Sequence, residues 1–217
     1  MDLVSELNKR IFTSIMLSIL LILSFYNDFL LSFILLLILY QLYFEFYNIF
    51  NKIFLKNKIK LYLILLCNLF FITTITLYVW LAFTNSISDH KIFLLLIFTI
   101  TISSDIGGYI FGKLFKGKKL TRISPNKTYS GLLGAYFLSL IFTYLIFNKF
   151  YNYEFIILST LIISSISQSG DIFISYLKRK ANLKNTGNIL PGHGGLLDRL
   201  DGVIFSIPAG YVLINLL

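Results

Sequence analysis

The chain has 217 residues, of which 57% are hydrophobic and only 13% charged, with a formal net charge of +9. A soluble domain carries about 25% charged residues, so this composition excludes an ordinary soluble globular protein and predicts several membrane crossings. The single cysteine, Cys67, excludes an internal disulfide framework and a cysteine-based metal cluster.

Apolar runs recur at 11–26, 29–50, 61–83, 92–112, 132–147, 155–169 and 203–217. They predict an all-α, polytopic integral membrane protein of about seven transmembrane helices with a polar site at the cytoplasmic face. Several runs are shorter than the roughly 20 residues that a helix uses to cross the bilayer core, so local thinning or flanking polar turns complete them. The N-terminus, MDLVSELNKR, mixes acids and bases, and no small-residue cleavage site follows the first run, so no cleavable signal peptide is expected. With the N-terminus inside, 17 of the 19 Lys and Arg residues fall on the cytoplasmic side; Lys91 and Lys149 do not. That placement assigns the basic surplus to topology and anionic lipid and argues against nucleic acid as a partner. The composition leaves a homodimer open.

Residues 1–100 are spans joined by short turns, whereas 101–202 hold almost every unusual polar residue. The first polar cluster is Ser103-Ser104-Asp105-Ile106-Gly107-Gly108-Tyr109. An aspartate at membrane depth costs roughly 2.5–3.5 kcal/mol on insertion scales, so Asp105 needs a polar cavity, a lysine partner or a helix to cap. The second is the basic loop from Lys116 to Gly131. Within it, Ser124, Lys127 and Thr128 around Pro125 have the makings of a phosphate-binding turn, although any cytoplasmic loop is rich in lysine. The third runs from Ser164 to Gly202. Asp171 is expected just beyond the sixth span, followed by a short interfacial helix over 172–184 with a basic end. A Pro/Gly loop, PGHGG, and then LLDRLD complete it.

If LLDRLD is helical, Asp198 and Asp201 share a face three residues apart. With a third carboxylate from another helix they would make an all-oxygen site suited to Mg²⁺, with room for a second cation, and nearby lysines and glycine amides suit a polyphosphate. The bland alternative is a structural network in which Lys178 and Arg199 neutralise the aspartates. His193, alone in a glycine loop, reads either as a hydrogen-bonding loop residue or as a catalytic group. Glu45, near the inner end of the second span, could simply snorkel to the interface.

The stretch Ser175-x-Leu177-Lys178-Arg179, Lys184, Gly187, Leu190-Pro191-x-His193-Gly194-Gly195-Leu196-x-Asp198-Arg199-Leu200-Asp201 resembles the signature of the phosphatidate cytidylyltransferase (CDP-diacylglycerol synthase) family. SQSGD ending at Asp171, SSDIGGYIFGKLF and ISPNKTYSG are similar to the family's middle region, and Glu45 among its aromatic neighbours is similar to an early acidic–aromatic motif. The chain departs from the pattern at Asn185, where the family has Asp, at Tyr129-Ser130, where it has Trp-Glu, and at Gly108, usually Ala. The resemblance implies that CTP and phosphatidate give CDP-diacylglycerol and pyrophosphate, with Mg²⁺, in a multi-pass bacterial inner-membrane enzyme whose N-terminus is cytoplasmic. Residues 1–100 would then be N-terminal transmembrane helices and 101–217 the catalytic part of one continuous membrane domain.

It implies catalytic roles for Asp171, Asp198, Asp201, Lys178, Arg199 and His193, with Asp171 and Asp198 holding the metal. Substrate would be bound by Ser124, Lys127, Thr128, Asp105, Ser175, Arg179, Lys184, Gly194 and Gly195. The rivals are another CTP-dependent membrane transferase, of the CDP-archaeol synthase or polyprenol kinase type, and an ion-coupled transporter relaying ions through Asp105 and Asp171. A transporter should show inverted repeats and mid-membrane polar residues, and the sequence has no repeat.

Overall fold

The computed structural model describes Ile19, Leu23 and residues 27–55, 57–84, 88–121, 123–124, 127–189 and 194–216. Among the described residues six helices follow one another: α1 (Asp28–Ile53), α2 (Lys58–Thr84), α3 (Ser88–Phe115), α4 (Tyr129–Phe147), α5 (Tyr153–Lys180) and α6 (Leu197–Leu216). Among the described residues there is no strand; Lys119 and Thr128 form an isolated antiparallel bridge. The all-α expectation holds. The expected span at 11–26 lies outside the described residues apart from Ile19 and Leu23.

Helix starts follow local chemistry. The side chain of Asn27 accepts the N–H groups of Phe29 and Leu30 at the head of α1, Asn57 accepts from Lys60 in α2, and Asn152 accepts from Phe155 in α5. Each satisfies N–H groups that the first helical turn leaves without an intrahelical acceptor. Among the described residues five helices are long and apolar enough to cross a membrane: α1, α2, α3 from His90, α4 and α5. Their outer faces carry large apolar side chains, among them Phe29, Phe70 and Leu133, each more than two-thirds exposed, as lipid contact requires. α6 is not among the five; Asp198, Arg199 and Asp201 occupy its beginning, and the apolar run expected at 203–217 lies within it up to Leu216.

The sequence reading broke α5 at Ser169-Gly170-Asp171 and placed a separate interfacial helix over 172–184. The structure instead runs one helix from Tyr153 to Lys180, so Asp171 sits inside a helix rather than beyond one. Tertiary packing overrides the weak helix propensity of glycine and aspartate here. A Cβ on Gly170 would lie 2.5 Å from the Phe205 ring and 3.0 Å from the Asp201 carbonyl, so the missing side chain is what admits α6. The helix stops at a Schellman motif. Asn182 adopts a left-handed φ of 53°, its N–H reaches the Arg179 carbonyl, and Leu183 N–H reaches that of Lys178.

The chain falls into two compact units, each discontinuous in sequence: Met1–Ser86 with Leu177–Leu200, and Ile87–Tyr176 with Asp201–Leu217. In the second unit α3 and α4 pack through glycine. A Cβ on Gly107 would sit 2.4 Å from the Gly134 carbonyl oxygen, and one on Gly131 would sit 2.7 Å from that of Gly108. Small residues that let two backbones touch are the usual means of joining helices in lipid, where apolar burial provides no drive between them. Gly107 and Gly108, singled out in the first polar cluster, therefore serve helix contact.

Candidate functional site

In the second unit a polar cavity of about 260 Å³ is lined by Asp105 from α3, Asp171 from α5, and Ser124, Lys127 and Thr128 from the loop between α3 and α4. The glycine contact between α3 and α4 is what sets Asp105 beside the start of α4. The loop returns on itself through Leu120 N–H to the Lys127 carbonyl (2.7 Å) and Tyr129 N–H to the Lys118 carbonyl (3.0 Å). Lys127 Nζ lies 2.5 Å from Asp171 Oδ2 and donates to the Gln168 carbonyl. Both side chains remain partly exposed to the cavity, at 22% and 29%. A lysine beside two carboxylates in a small cavity offsets part of their negative charge at rest and presents a cation to an incoming anion.

Ser124, Lys127 and Thr128, expected as a phosphate-binding turn, all line the cavity, and the Thr128 hydroxyl is also the N-cap of α4, accepting Gly131 N–H at 3.1 Å and sharing a hydrogen bond with Ser130. Asp105 and Asp171, expected in different roles, line one cavity.

The first unit holds the other cluster. Lys178 donates to Asp198 Oδ1 at 2.7 Å, while Asp198 Oδ2 accepts the backbone N–H groups of Thr186 (2.9 Å) and Gly195 (3.1 Å). Burial pushes the Asp198 carboxyl up, but the Lys178 ammonium and the two backbone donors outweigh it and hold the group below the usual carboxylate range. Gly194 next to it has a φ of +88°, a conformation that favours glycine.

Glu45 is the residue that sequence reasoning undervalued. It does not snorkel: it is fully buried and accepts from Gln41 Nε2 (2.7 Å), Thr186 Oγ1, Leu196 N–H (2.8 Å) and Leu197 N–H (3.0 Å). The only signal that could have found it was an acid set among apolar and aromatic neighbours, a position where an unpartnered carboxylate is too costly to keep.

The remaining expected residues are dispersed. Ser175 is half-buried on α5, Arg179 and Lys184 are exposed, and Asp201 Oδ1 accepts Gly202 N–H at the head of α6. His193 lies outside the described residues. The bland alternative for the aspartates is partly realised, since Lys178 does pair with Asp198.

Among the described residues no three His, Cys, Asp or Glu side chains gather, but Asp105 and Asp171 share one cavity, with the Lys127 ammonium paired to Asp171. Mg²⁺ commonly takes one or two carboxylates and completes its shell with water and substrate phosphates, so this pair fits it. Asp198 fits less openly: of roughly four lone-pair directions on a carboxylate, three already have donors.

Long apolar helices with large apolar side chains on their outer faces define a multi-pass membrane protein of the all-α class. Residues 3–217 match the Cytidylyltransferase family, and the chain belongs to that family. Among curated relatives it is similar to the phosphatidate cytidylyltransferase of Rickettsia typhi, 42% identical over 138 residues, covering 59% of this chain and 60% of the relative. The phosphatidate cytidylyltransferase of Rickettsia felis is likewise 42% identical over 138 residues, covering 59% of this chain and 61% of the relative. That of Staphylococcus aureus (strain COL) is 41% identical over 133 residues, covering 59% and 51%. The chain thus spans between half and about three-fifths of the length of these relatives.

Proposed function

We propose that the chain transfers the cytidylyl group of CTP to phosphatidate, releasing pyrophosphate and forming CDP-diacylglycerol. The observation that carries this reading is the cavity shared by Asp105, Lys127 and Asp171, in a chain of the Cytidylyltransferase family. The relatives' names supply phosphatidate as acceptor. One substrate is held in lipid and the other is a water-borne nucleotide, so a polar cavity among membrane helices is where the two can meet. A phosphatidate oxygen attacks the α-phosphorus of CTP; the new P–O bond forms as the α–β bridging P–O bond breaks and pyrophosphate leaves. Phosphatidate is already ionised near neutral pH, so no general base is required.

Two anions must approach, and Lys127 offsets their repulsion once substrate phosphate competes for its contact with Asp171. Asp171, with Asp105 beside it, would hold Mg²⁺, and Asp198 keeps one lone-pair direction for a cation. When bound, the ion polarises the α-phosphate and stabilises the departing pyrophosphate. The basic-residue distribution supports an inner-membrane protein with a cytoplasmic N-terminus.

Detergent-purified protein incubated with radiolabelled CTP, Mg²⁺ and phosphatidate should yield a lipid-soluble nucleotide, separable by chromatography. No transfer to phosphatidate, or transfer only to a polyprenol or an archaeal-type ether lipid, would overturn the assignment.

A further inference from the structure

The site as described assigns no role to Glu45. It lies on α1, 151 residues before the backbone it binds, and nothing about its own helix requires it. Its carboxylate is an acceptor-only group with about four lone-pair directions, and four donors fill them. Oε1 takes the Gln41 amide and Leu196 N–H, and Oε2 takes the Thr186 hydroxyl and Leu197 N–H. The two backbone donors are the N–H groups on either side of the point where α6 begins. The polypeptide is shaped around the group. A Cβ on Gly195 would lie 2.4 Å from Glu45 Oε2, and one on Gly187 would lie 3.0 Å from Oε1, so both strands of the loop come close enough to touch it only because they are glycine there.

Asp198 closes the same loop from the other side, binding Thr186 and Gly195 through their backbone N–H groups. Thr186 is therefore gripped twice, by its hydroxyl through Glu45 and by its N–H through Asp198. A carboxylate with no donors would be too costly to bury, so the geometry holds only as a set.

We propose that Glu45 is a positioning residue for the proposed cytidylyl transfer: a carboxylate cap, donated from α1, that fixes the first turn of α6 and with it the placement of Asp198 and its partner Lys178. It touches no substrate; it acts through the backbone of residues 195–197. The inference rests on the functional reading above for its kinetic consequence, but not for its geometric one.

Glu45→Gln exchanges an acceptor for a group that offers two N–H donors to N–H and O–H partners, at nearly constant volume. Thr186→Val is the milder companion, removing one donor and leaving the carboxylate in place. The variants are compared with the full wild-type chain in detergent by site-resolved hydrogen exchange, thermal melting and steady-state kinetics. In Glu45→Gln the Leu196 and Leu197 amides should exchange at least tenfold faster, with α3 and α4 unchanged. The folded fraction should hold. The turnover number per folded molecule should fall roughly 10–100-fold, the usual loss when a group that orients reactive residues is removed, with KM for CTP and phosphatidate within a few-fold. Thr186→Val should move both readouts the same way and less far. Unchanged exchange at 196 and 197, wild-type turnover, or faster exchange spread evenly over α1 and α2 would overturn the proposal. If Glu45→Gln does not insert, Thr186→Val decides on the same criteria. A wild-type chain without transfer activity would sink the functional reading and leave the exchange result to judge the cap.

Discussion

At the scale of single residues, the two charged pairs make different demands. Lys127 and Asp171 are both partly exposed to a cavity, so their pairing is available for exchange with a ligand. Lys127→Ala should leave the protein inserted but remove one charge-assisted phosphate contact, costing on the order of 1.5–3 kcal/mol of transition-state stabilisation, about 10- to 150-fold in kcat/KM. Steady-state kinetics with each substrate varied in turn checks it; unchanged values for both would return Lys127 to the set of topology-determining lysines. Asp198 is different, since three donors already engage it. Its depressed folded-state pKa means that its stabilising contribution is present above the unfolded carboxyl value and is lost as pH falls through the folded one. Thermal melting from pH 7 downward should therefore show wild type converging on Asp198→Asn in acid, with the gap largest near neutrality. A pH-independent gap would mean that the charge of Asp198 contributes nothing to the fold.

At the scale of elements, the contact between α3 and α4 decides whether the cavity exists. Gly134 faces Phe111 so closely that a Cβ would lie 2.2 Å from the Phe111 side chain. Gly134→Leu should force the two helices apart, at a cost of about 1–3 kcal/mol or more, and should abolish activity while the protein still reaches the membrane. Activity per inserted molecule is the measurement, and full activity would show that the cavity does not need this packing. The reading of SSDIGGY as one polar cluster mixed two functions that only packing separates. Asp105 faces the cavity, Gly107 packs against α4, and Gly108 both lines the cavity and meets Gly131 of α4. The break placed at Gly170 failed for the same reason: a glycine that reads as a helix end in isolation is a contact surface when another helix lies against it.

At the scale of the whole molecule, the distribution of basic residues sets a testable orientation. With seven crossings and an inside N-terminus, the end of α6 should face outward. Reporter fusions after Leu217 check this: a cytoplasmic reporter active there would refute the count or the orientation. The two units also show why Glu45 escaped notice. Three of its four partners lie in a segment more than 140 residues away, brought into the same unit by the return of the chain from Leu177 to Leu200.

Membrane residence, helical class and family were all legible in the one-dimensional pattern. Apolar run length and charge placement depend only on composition along the chain, and the signature spacing depends only on order. Asp171, Lys127 and Asp198 were likewise identifiable, because charge in an apolar chain is conspicuous wherever it falls. Tertiary structure alone decided which of these charges meet. It paired Lys127 with Asp171 and Lys178 with Asp198, made the cavity-lining Thr128 also the cap of α4, and made Glu45 the acceptor for the start of α6. The physical reason is that a hydrogen bond or ion pair requires atoms within about 3 Å, and such proximity between distant residues is set by how helices pack, which no local spacing encodes.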